Sequence, residues 1–191
     1  MVPLTLAVIT DGNSTPAWDK LRGIVEKLLP VPTGDKGLTE LQNLPPDLIL
    51  LPAWLPHRRR LSMKILLWGK APLVWLVKDF QEGQEETIAA ALELGIAGII
   101  ATTDSIQRIR WVLETAHRTF NKEQGLRKEI KEVREALETR KLVDRAKAAL
   151  VETWGITEGE AYRRMQQQAM NSRRTLRAVA ESILEASGLI V

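Results

Sequence analysis

The stretch Asp47–Pro56, "DLILLPAWLP", indicates how the N-terminal part of the chain folds. Its four apolar residues at positions 48–51 have the length and composition of a strand that is buried on both faces of a sheet. The apolar run stops at Pro52, which has no N–H group to donate to a sheet ladder. We therefore expect a buried strand here, and the proline at its end raises the question of what another residue at position 52 would do.

Other apolar runs of strand length occur at Leu4–Thr10, Pro72–Val77 and Ala97–Ala101, and a weaker candidate lies within the loop "PVPTGDKG" at 30–37. Helical spacing of apolar residues predicts helices over Trp18–Leu29, Leu38–Leu44, Leu61–Trp68 and Glu85–Leu94, and one that Ser105 caps. Buried strands that alternate with helices are typical of a parallel sheet with right-handed crossovers. Residues 1–121 are therefore predicted to form a doubly wound, five-stranded, flavodoxin-like α/β domain.

The pattern becomes entirely helical after residue 121. Apolar residues step by 4, 3 and 4 positions, the spacing of a heptad seam, at Leu126, Ile130, Val133 and Leu137. One long helix is predicted over about 126–152, with Gly125 as a possible joint before it. The seam has two interpretations: a coiled coil with a second chain, or packing of the helix on its own bundle.

Two shorter helices are predicted to follow the long one. Thr157 and Glu160 have the T-x-x-E spacing of a capping box, which marks the start of the first of them. Asn171 or Ser172 is the expected cap of the second. The fold class is therefore α/β followed by an all-α region, with a long helix leading into a three-helix bundle.

Composition excludes several classes of protein. The chain has 191 residues, no cysteine and only two histidines, so a disulfide framework, a zinc site or a histidine-based metal site is not expected. The sequence contains no convincing catalytic set, and we predict neither an enzyme nor a cofactor. No apolar stretch approaches the length of a membrane-spanning helix, and a cytoplasmic protein is expected.

A cluster of arginines marks the candidate binding surface. The net charge of the chain is only +3, but residues 161–180 contain no acidic residue and five arginines: Arg163, Arg164, Arg173, Arg174 and Arg177. Such a stretch favours contact with a polyanion, although any one of these arginines alone is better explained by a solvated surface. Arg173 is expected in the first turn of the last helix, where the helix dipole disfavours a cation.

Two further residues have open alternatives. Lys147 lies within the long helix, where its ammonium group could reach a phosphate or simply extend to solvent. Tyr162, the single tyrosine, could stack on a base or pack into the bundle.

The N-terminal region resembles the receiver domain of two-component response regulators. The family's third strand and following loop read D, a hydrophobic run, then D-x-x-M-P, and Asp47, Leu55 and Pro56 match this pattern. The resemblance places the family's phospho-accepting aspartate at Pro52. It leaves one carboxylate, Asp11, of the acidic pair that holds Mg²⁺.

The same resemblance puts the family's hydroxyl residue near Val77 and its lysine near Thr102. Aspartyl phosphorylation requires a carboxylate nucleophile, a held Mg²⁺ and a cation. The resemblance therefore implies a pseudo-receiver, which keeps the fold without the chemistry. By itself, Asp11 is better explained as a turn or helix-capping residue.

Residues 136–184 resemble the ANTAR domain, the RNA-binding module of certain antiterminator response regulators. The family's A-K-G pattern corresponds to 146–148, with Ala148 in place of glycine. The E-A-[FY]-x-x-[LM] element spans Glu160–Met165, the A-M pair is Ala169-Met170, and the family's late alanine is Ala180.

This resemblance implies recognition of paired stem-loops in a nascent leader transcript, which disfavours a terminator. In the amidase-operon regulator type, the receiver is likewise degenerate, a sensor protein controls the antiterminator, and dimers form through the long helix. The expected organisation is a pseudo-receiver at 1–121, a linker or coiled-coil segment at 122–140 and the ANTAR domain at 130–188. The alternatives are a DNA-binding transcription factor and a protein-interaction adaptor.

Overall fold

Five parallel strands form the sheet of the N-terminal unit in the computed structural model, which describes residues 4–12, 18–80 and 85–188. The strands are β1 (Thr5–Thr10), β2 (Lys27–Pro32), β3 (Leu48–Pro52), β4 (Leu73–Val77) and β5 (Gly98–Ala101). Their order in the sheet is β2-β1-β3-β4-β5, and every neighbouring pair is parallel. The predicted doubly wound architecture is confirmed.

Seven helices complete the described chain, which divides into two units at residues 1–124 and 125–191. They are α1 (Trp18–Arg22), α2 (Asp35–Asn43), α3 (Arg58–Trp68), α4 (Glu85–Leu94), α5 (Ile106–Trp154), α6 (Glu158–Ser172) and α7 (Leu176–Ala186). Helix α5 runs through Gly125 without a break, so the predicted joint there is wrong. One glycine costs a helix only about 1 kcal/mol, and strong helix formers flank this one.

The sheet separates two apolar cores. Because successive strand residues point to opposite faces, Leu48 and Leu50 pack on one side and Ile49 and Leu51 on the other. Helices α1 and α5 cover the first face, and α2, α3 and α4 cover the second. Burial on both faces explains why β3 reads as an uninterrupted apolar run.

The second strand differs from its prediction. A helix was predicted over Trp18–Leu29, but α1 ends at Arg22 and Lys27–Pro32 is the edge strand β2. Pro30 and Pro32 are tolerated there because an edge strand needs hydrogen bonds on one side only.

The C-terminal unit buries one face each of α6 and α7 against the last part of α5. The shared core consists of Val143, Ala146, Leu150, Ala161, Met165, Val179, Ala180 and Leu184. Helix α7 begins at Leu176 with Thr175 as its cap, so the predicted cap at Asn171 or Ser172 is wrong. The Thr175 hydroxyl oxygen accepts a hydrogen bond from the backbone N–H of Ala178 at 3.2 Å.

Within the described ranges, no helix is both long and apolar enough to cross a membrane. The same residues contain no group of three or more histidine or acidic side chains that could hold a metal ion.

Candidate nucleic-acid interface

Helix α6 presents opposite faces to the core and to solvent. Its start is defined by Thr157, whose hydroxyl oxygen accepts a hydrogen bond from the N–H of Glu160 at 3.3 Å. Ala161 and Met165 are buried. Since residues three or four apart share a helix face, Arg163 and Met170 lie on the far side, where Met170 is 79% exposed. A large apolar side chain left this exposed is available for contact with a partner.

Arg164 is fixed in place by two neighbours. Its guanidinium group donates to Glu160 Oε1 at 3.0 Å and lies 5.4 Å from the ring centroid of Trp154. A cation above an indole ring is an attractive arrangement. Trp154, the last residue of α5, keeps 55% of its surface exposed. The pair therefore forms a flat, cationic surface at the end of α5.

The turn between α6 and α7 carries Arg173 and Arg174. Arg173 is the C-cap of α6 in a left-handed conformation with φ of 53°. The expected position in the first turn of α7 is wrong, and at the end of α6 the helix dipole favours a cation. The Arg174 guanidinium donates to Ala178 O at 3.0 Å and to Ser182 Oγ at 2.9 Å. Both side chains remain exposed.

The other sequence-predicted residues are placed as follows. Arg177 pairs with Glu181 at 2.9 Å, and the Arg163 side chain donates to Gly159 O at 3.3 Å. Tyr162 is exposed beside the buried Ala161. Lys147 is only 17% exposed, because its ammonium group contacts Asp144 at 2.8 Å and Glu158 at 4.0 Å.

The carboxylates around Lys147 change its titration. The hydrogen bond to Asp144 raises the pKa of Lys147 above its usual value, and the nearby charges of Asp144 and Glu158 act in the same direction. The pKa of Asp144 is lowered by the same hydrogen bond. A phosphate group at Lys147 would compete with carboxylates that are already present.

A groove of about 660 Å³ opens between α5, α6 and α7. Of the sequence-predicted residues, the structure brings Arg164 and Arg174 to this groove. Sequence analysis missed its other polar or aromatic lining: Thr153, Trp154, Gln167, Gln168, Asn171, Ser182 and Ser187. The run of three glutamines at 166–168 was a weak signal, but nothing in the sequence places Trp154 next to it.

Three residues named from the receiver resemblance lie at the carboxyl end of the sheet. Pro52 ends β3, is buried, and pairs in register with Leu76 of β4. Asp11 follows β1 and is exposed, and Val77 is buried at the end of β4. These are the positions at which the resemblance expects the phosphorylation chemistry.

A lysine from another element occupies this end of the sheet. Lys20 of α1 donates to the backbone oxygens of Thr102 and Asp104, at 2.8 and 3.1 Å. The Thr102 hydroxyl donates to Lys78 O, and Asp104 accepts from the N–H of Ala101 at 2.8 Å. The loops after β4 and β5 are thus held together by the chain's own groups. Lys20 was not identified from the sequence, because it lies 82 residues from Thr102.

Comparison with known proteins agrees with both units. The model of the ANTAR domain matches residues 131–184. The transcriptional regulatory protein PdtaR of Mycobacterium tuberculosis is 33% identical over 153 residues, which cover 79% of this chain and 72% of that protein.

Two solved structures share the fold of the N-terminal unit. The signal receiver domain of a modulated diguanylate cyclase from Desulfovibrio desulfuricans is 16% identical, with a TM-score of 0.53 over 63% of this chain and 98% of that domain. NtrX from Brucella abortus is 21% identical, with a TM-score of 0.51 over 75% of this chain and 34% of that protein. At these identities, the likeness concerns the fold alone.

A receiver-type α/β unit followed by a long helix and an ANTAR region defines the class of response-regulator-type transcriptional regulators. The chain belongs to the ANTAR-domain family of these regulators, and it is a regulator, not an enzyme.

Proposed function

We propose that this protein is a transcription antiterminator that binds stem-loop RNA in nascent leader transcripts through its ANTAR domain. The observation that carries the proposal is the arginine-rich, acid-free stretch at 161–180, whose five arginines lie exposed on α6, in the turn after it and on α7 within the matched region. Stem-loop RNA offers both phosphates for guanidinium groups and unstacked bases for planar side chains. A regulator of transcription that binds such RNA acts on the transcript as it emerges.

The proposed contacts fall into two groups. Arg163, Arg173 and Arg177 are exposed and suit phosphates, as does Arg174 where its guanidinium edge remains open. Arg164 and Tyr162 offer planar surfaces to bases. Lys147 can contact RNA only if a phosphate displaces its carboxylate partners. We therefore expect Lys147 to contribute less to RNA affinity than the arginines.

Control by a sensor protein, rather than by aspartyl phosphorylation, is the second part of the proposal. Pro52 supplies no carboxylate, and the loops after β4 and β5 are already joined through Thr102 and Lys20. Acetyl phosphate with Mg²⁺ should therefore leave the protein unlabelled. A stable acyl phosphate on the chain would contradict this part and leave the RNA proposal unaffected.

We further propose that two chains pair through α5. The heptad residues Leu126, Ile130, Val133 and Leu137 are between 49% and 68% exposed. An apolar seam left open along a helix is the arrangement that a parallel or antiparallel partner helix covers.

The deciding experiment compares binding of the purified protein to a paired stem-loop leader RNA and to duplex DNA of the same sequence over a salt series. We expect a preference for the RNA that disappears when the loop bases are changed. Tighter binding to the duplex would favour the DNA-binding alternative. Equal, weak binding to both would show non-specific attraction, and an adaptor role for the receiver-like unit would then be the better hypothesis.

A further inference from the structure

The groove between α5, α6 and α7 combines an apolar floor with a planar wall. Leu150, Met165, Val179 and Ile183 are among the apolar residues that line it, and Trp154 stands at its side with more than half of its surface exposed. Its volume of about 660 Å³ lies within the range of about 300–1,000 Å³ typical of small-molecule sites. The groove is therefore large enough for a flat heterocycle.

The polar lining of the groove suits hydrogen bonding to the edge of such a ring. Gln167, Gln168 and Asn171 all line it, and their side-chain amides make no hydrogen bond to another residue in the described part of the chain. An amide presents both a donor and an acceptor, which is the pattern that a nucleobase edge requires. These side chains are available to a ligand without breaking an existing bond.

The positive charge of the groove indicates which kind of molecule would supply the ring. Arg164 and Arg174 both line the groove, and among its described lining residues there is no acidic side chain. A ring that carries phosphate on either side therefore fits better than a neutral or cationic one. An unpaired nucleotide in an RNA loop has this chemistry.

We propose that the groove receives one unpaired base of the RNA loop, stacked on Trp154 and recognised at its edge by the amides of Gln167, Gln168 and Asn171. This inference rests on the proposed RNA-binding function and assigns a base-recognition pocket within it. The guanidinium of Arg164 lies 5.4 Å from the centroid of the indole ring, and 55% of the Trp154 surface remains exposed for the base. Arg174 is positioned for an adjoining phosphate.

The test measures binding of full-length wild-type, Trp154→Ala and Trp154→Phe proteins to the intact stem-loop RNA. A second RNA series has an abasic site at each loop position in turn. The matched control is Trp111→Ala, because Trp111 is an exposed tryptophan of α5 that belongs to the other unit and does not line the groove. Thermal melting of each variant shows whether the bundle remains folded.

We expect Trp154→Ala to weaken binding to the intact loop by about tenfold or more, the effect of one lost base–aromatic stack. Trp154→Phe should retain most of the affinity, and Trp111→Ala should retain all of it. At one abasic position, wild-type protein and Trp154→Ala should bind equally, because the stacking partner is already absent. The salt dependence of Trp154→Ala should match that of wild type, since no phosphate contact is removed.

Two outcomes would overturn the inference while the RNA-binding proposal stands. One is a folded Trp154→Ala variant that binds the intact loop as tightly as wild type. The other is a loss of affinity that is the same for every abasic RNA, which would assign Trp154 a purely structural role. Failure of the wild-type protein to bind any stem-loop RNA would overturn the proposed function together with the pocket.

A second set of variants tests the edge contacts. Gln168→Met and Asn171→Leu keep a side chain of similar length and remove the amide. We expect each to reduce the preference for the cognate base at the sensitive loop position while binding to RNA that is abasic there is unchanged. Unchanged base preference in both variants would overturn the assignment of the amides.

Discussion

At the carboxyl end of the receiver-like sheet, the polar groups bind one another, whereas the side-chain amides that line the groove of the ANTAR bundle have no hydrogen-bond partner among the described residues. Lys20 is bonded to the oxygens of Thr102 and Asp104, so it acts as part of the fold. Gln167 and Gln168 line the groove without such partners among the described residues. Polar side chains satisfied from within hold a shape, and those left open are available to a ligand.

The largest effect is expected from substitutions in the apolar seam of α5, in the second unit. Replacing Ile130 and Val133 with lysine should convert the proposed dimer to a monomer, because like charges would face each other across the seam. Sedimentation equilibrium would report half the mass of the wild-type assembly. Glu132→Gln with Glu135→Gln is the matched control, since it adds the same charge at two helix positions outside the seam and its flanks. If the wild-type protein is already a monomer, the proposal that two chains pair through the seam is wrong.

The next largest effect is expected on RNA affinity when the arginines at the turn into α7 are replaced. Arg173→Gly removes the guanidinium without strain, because glycine readily adopts the left-handed conformation at this position. Combined with Arg174→Ala, it should weaken RNA binding by on the order of tenfold and flatten the salt slope by roughly one to two. Arg110→Ala with Arg118→Ala, two exposed arginines of the first unit, should leave both unchanged.

Retention of wild-type affinity and slope by a folded Arg173→Gly/Arg174→Ala protein would place the phosphate contacts elsewhere. Loss of affinity in the Arg110/Arg118 control would show that attraction comes from the net positive charge and not from this turn.

A smaller effect, on the free energy of unfolding, is expected at the carboxyl end of the sheet. Lys20→Met should lower the free energy of unfolding by about 1–3 kcal/mol, because two backbone oxygens lose a charged donor. Lys70→Met, at an exposed lysine, should change it by less than about 0.5 kcal/mol. Thermal or urea unfolding measures both. If the unfolding curve of Lys20→Met is the same as that of wild type, the hydrogen bonds of Lys20 do not stabilise this end of the sheet. The comparison with the unbonded amides of the groove would then be wrong.

The smallest effect concerns the ion pair of Lys147 with Asp144. The folded state lowers the pKa of Asp144, so its contribution to stability is present at neutral pH and disappears as the pH falls through that lowered pKa. Lys147→Met should therefore melt slightly below wild type at pH 7, and the two should converge in strong acid. A difference independent of pH would mean that packing, not charge, holds Lys147.

The division between predictable and unpredictable structure follows the range of the interactions. The end of α4 at Leu94 matched the sequence-based prediction because local spacing and the following Gly95, which has a positive φ of 75°, define it. The strand β2 was anticipated only as a weak candidate within 30–37, because Leu28 and Leu29 continue the helical spacing of α1 and only pairing with β1 makes the segment from Lys27 extended. The arginines of the candidate interface were found from the sequence, but their neighbours were not.

The sequence by itself determined the alternation of strands and helices, the heptad spacing, the proline at position 52 and the acid-free arginine stretch. Each of these depends on residue identity and on spacing within a few turns of chain. Only the tertiary structure decided that Lys20 closes the end of the sheet, that Lys147 pairs with Glu158 across the bundle and that Trp154 meets Arg164 beside an open groove. These relations depend on which elements pack together, and packing joins side chains that no local pattern connects.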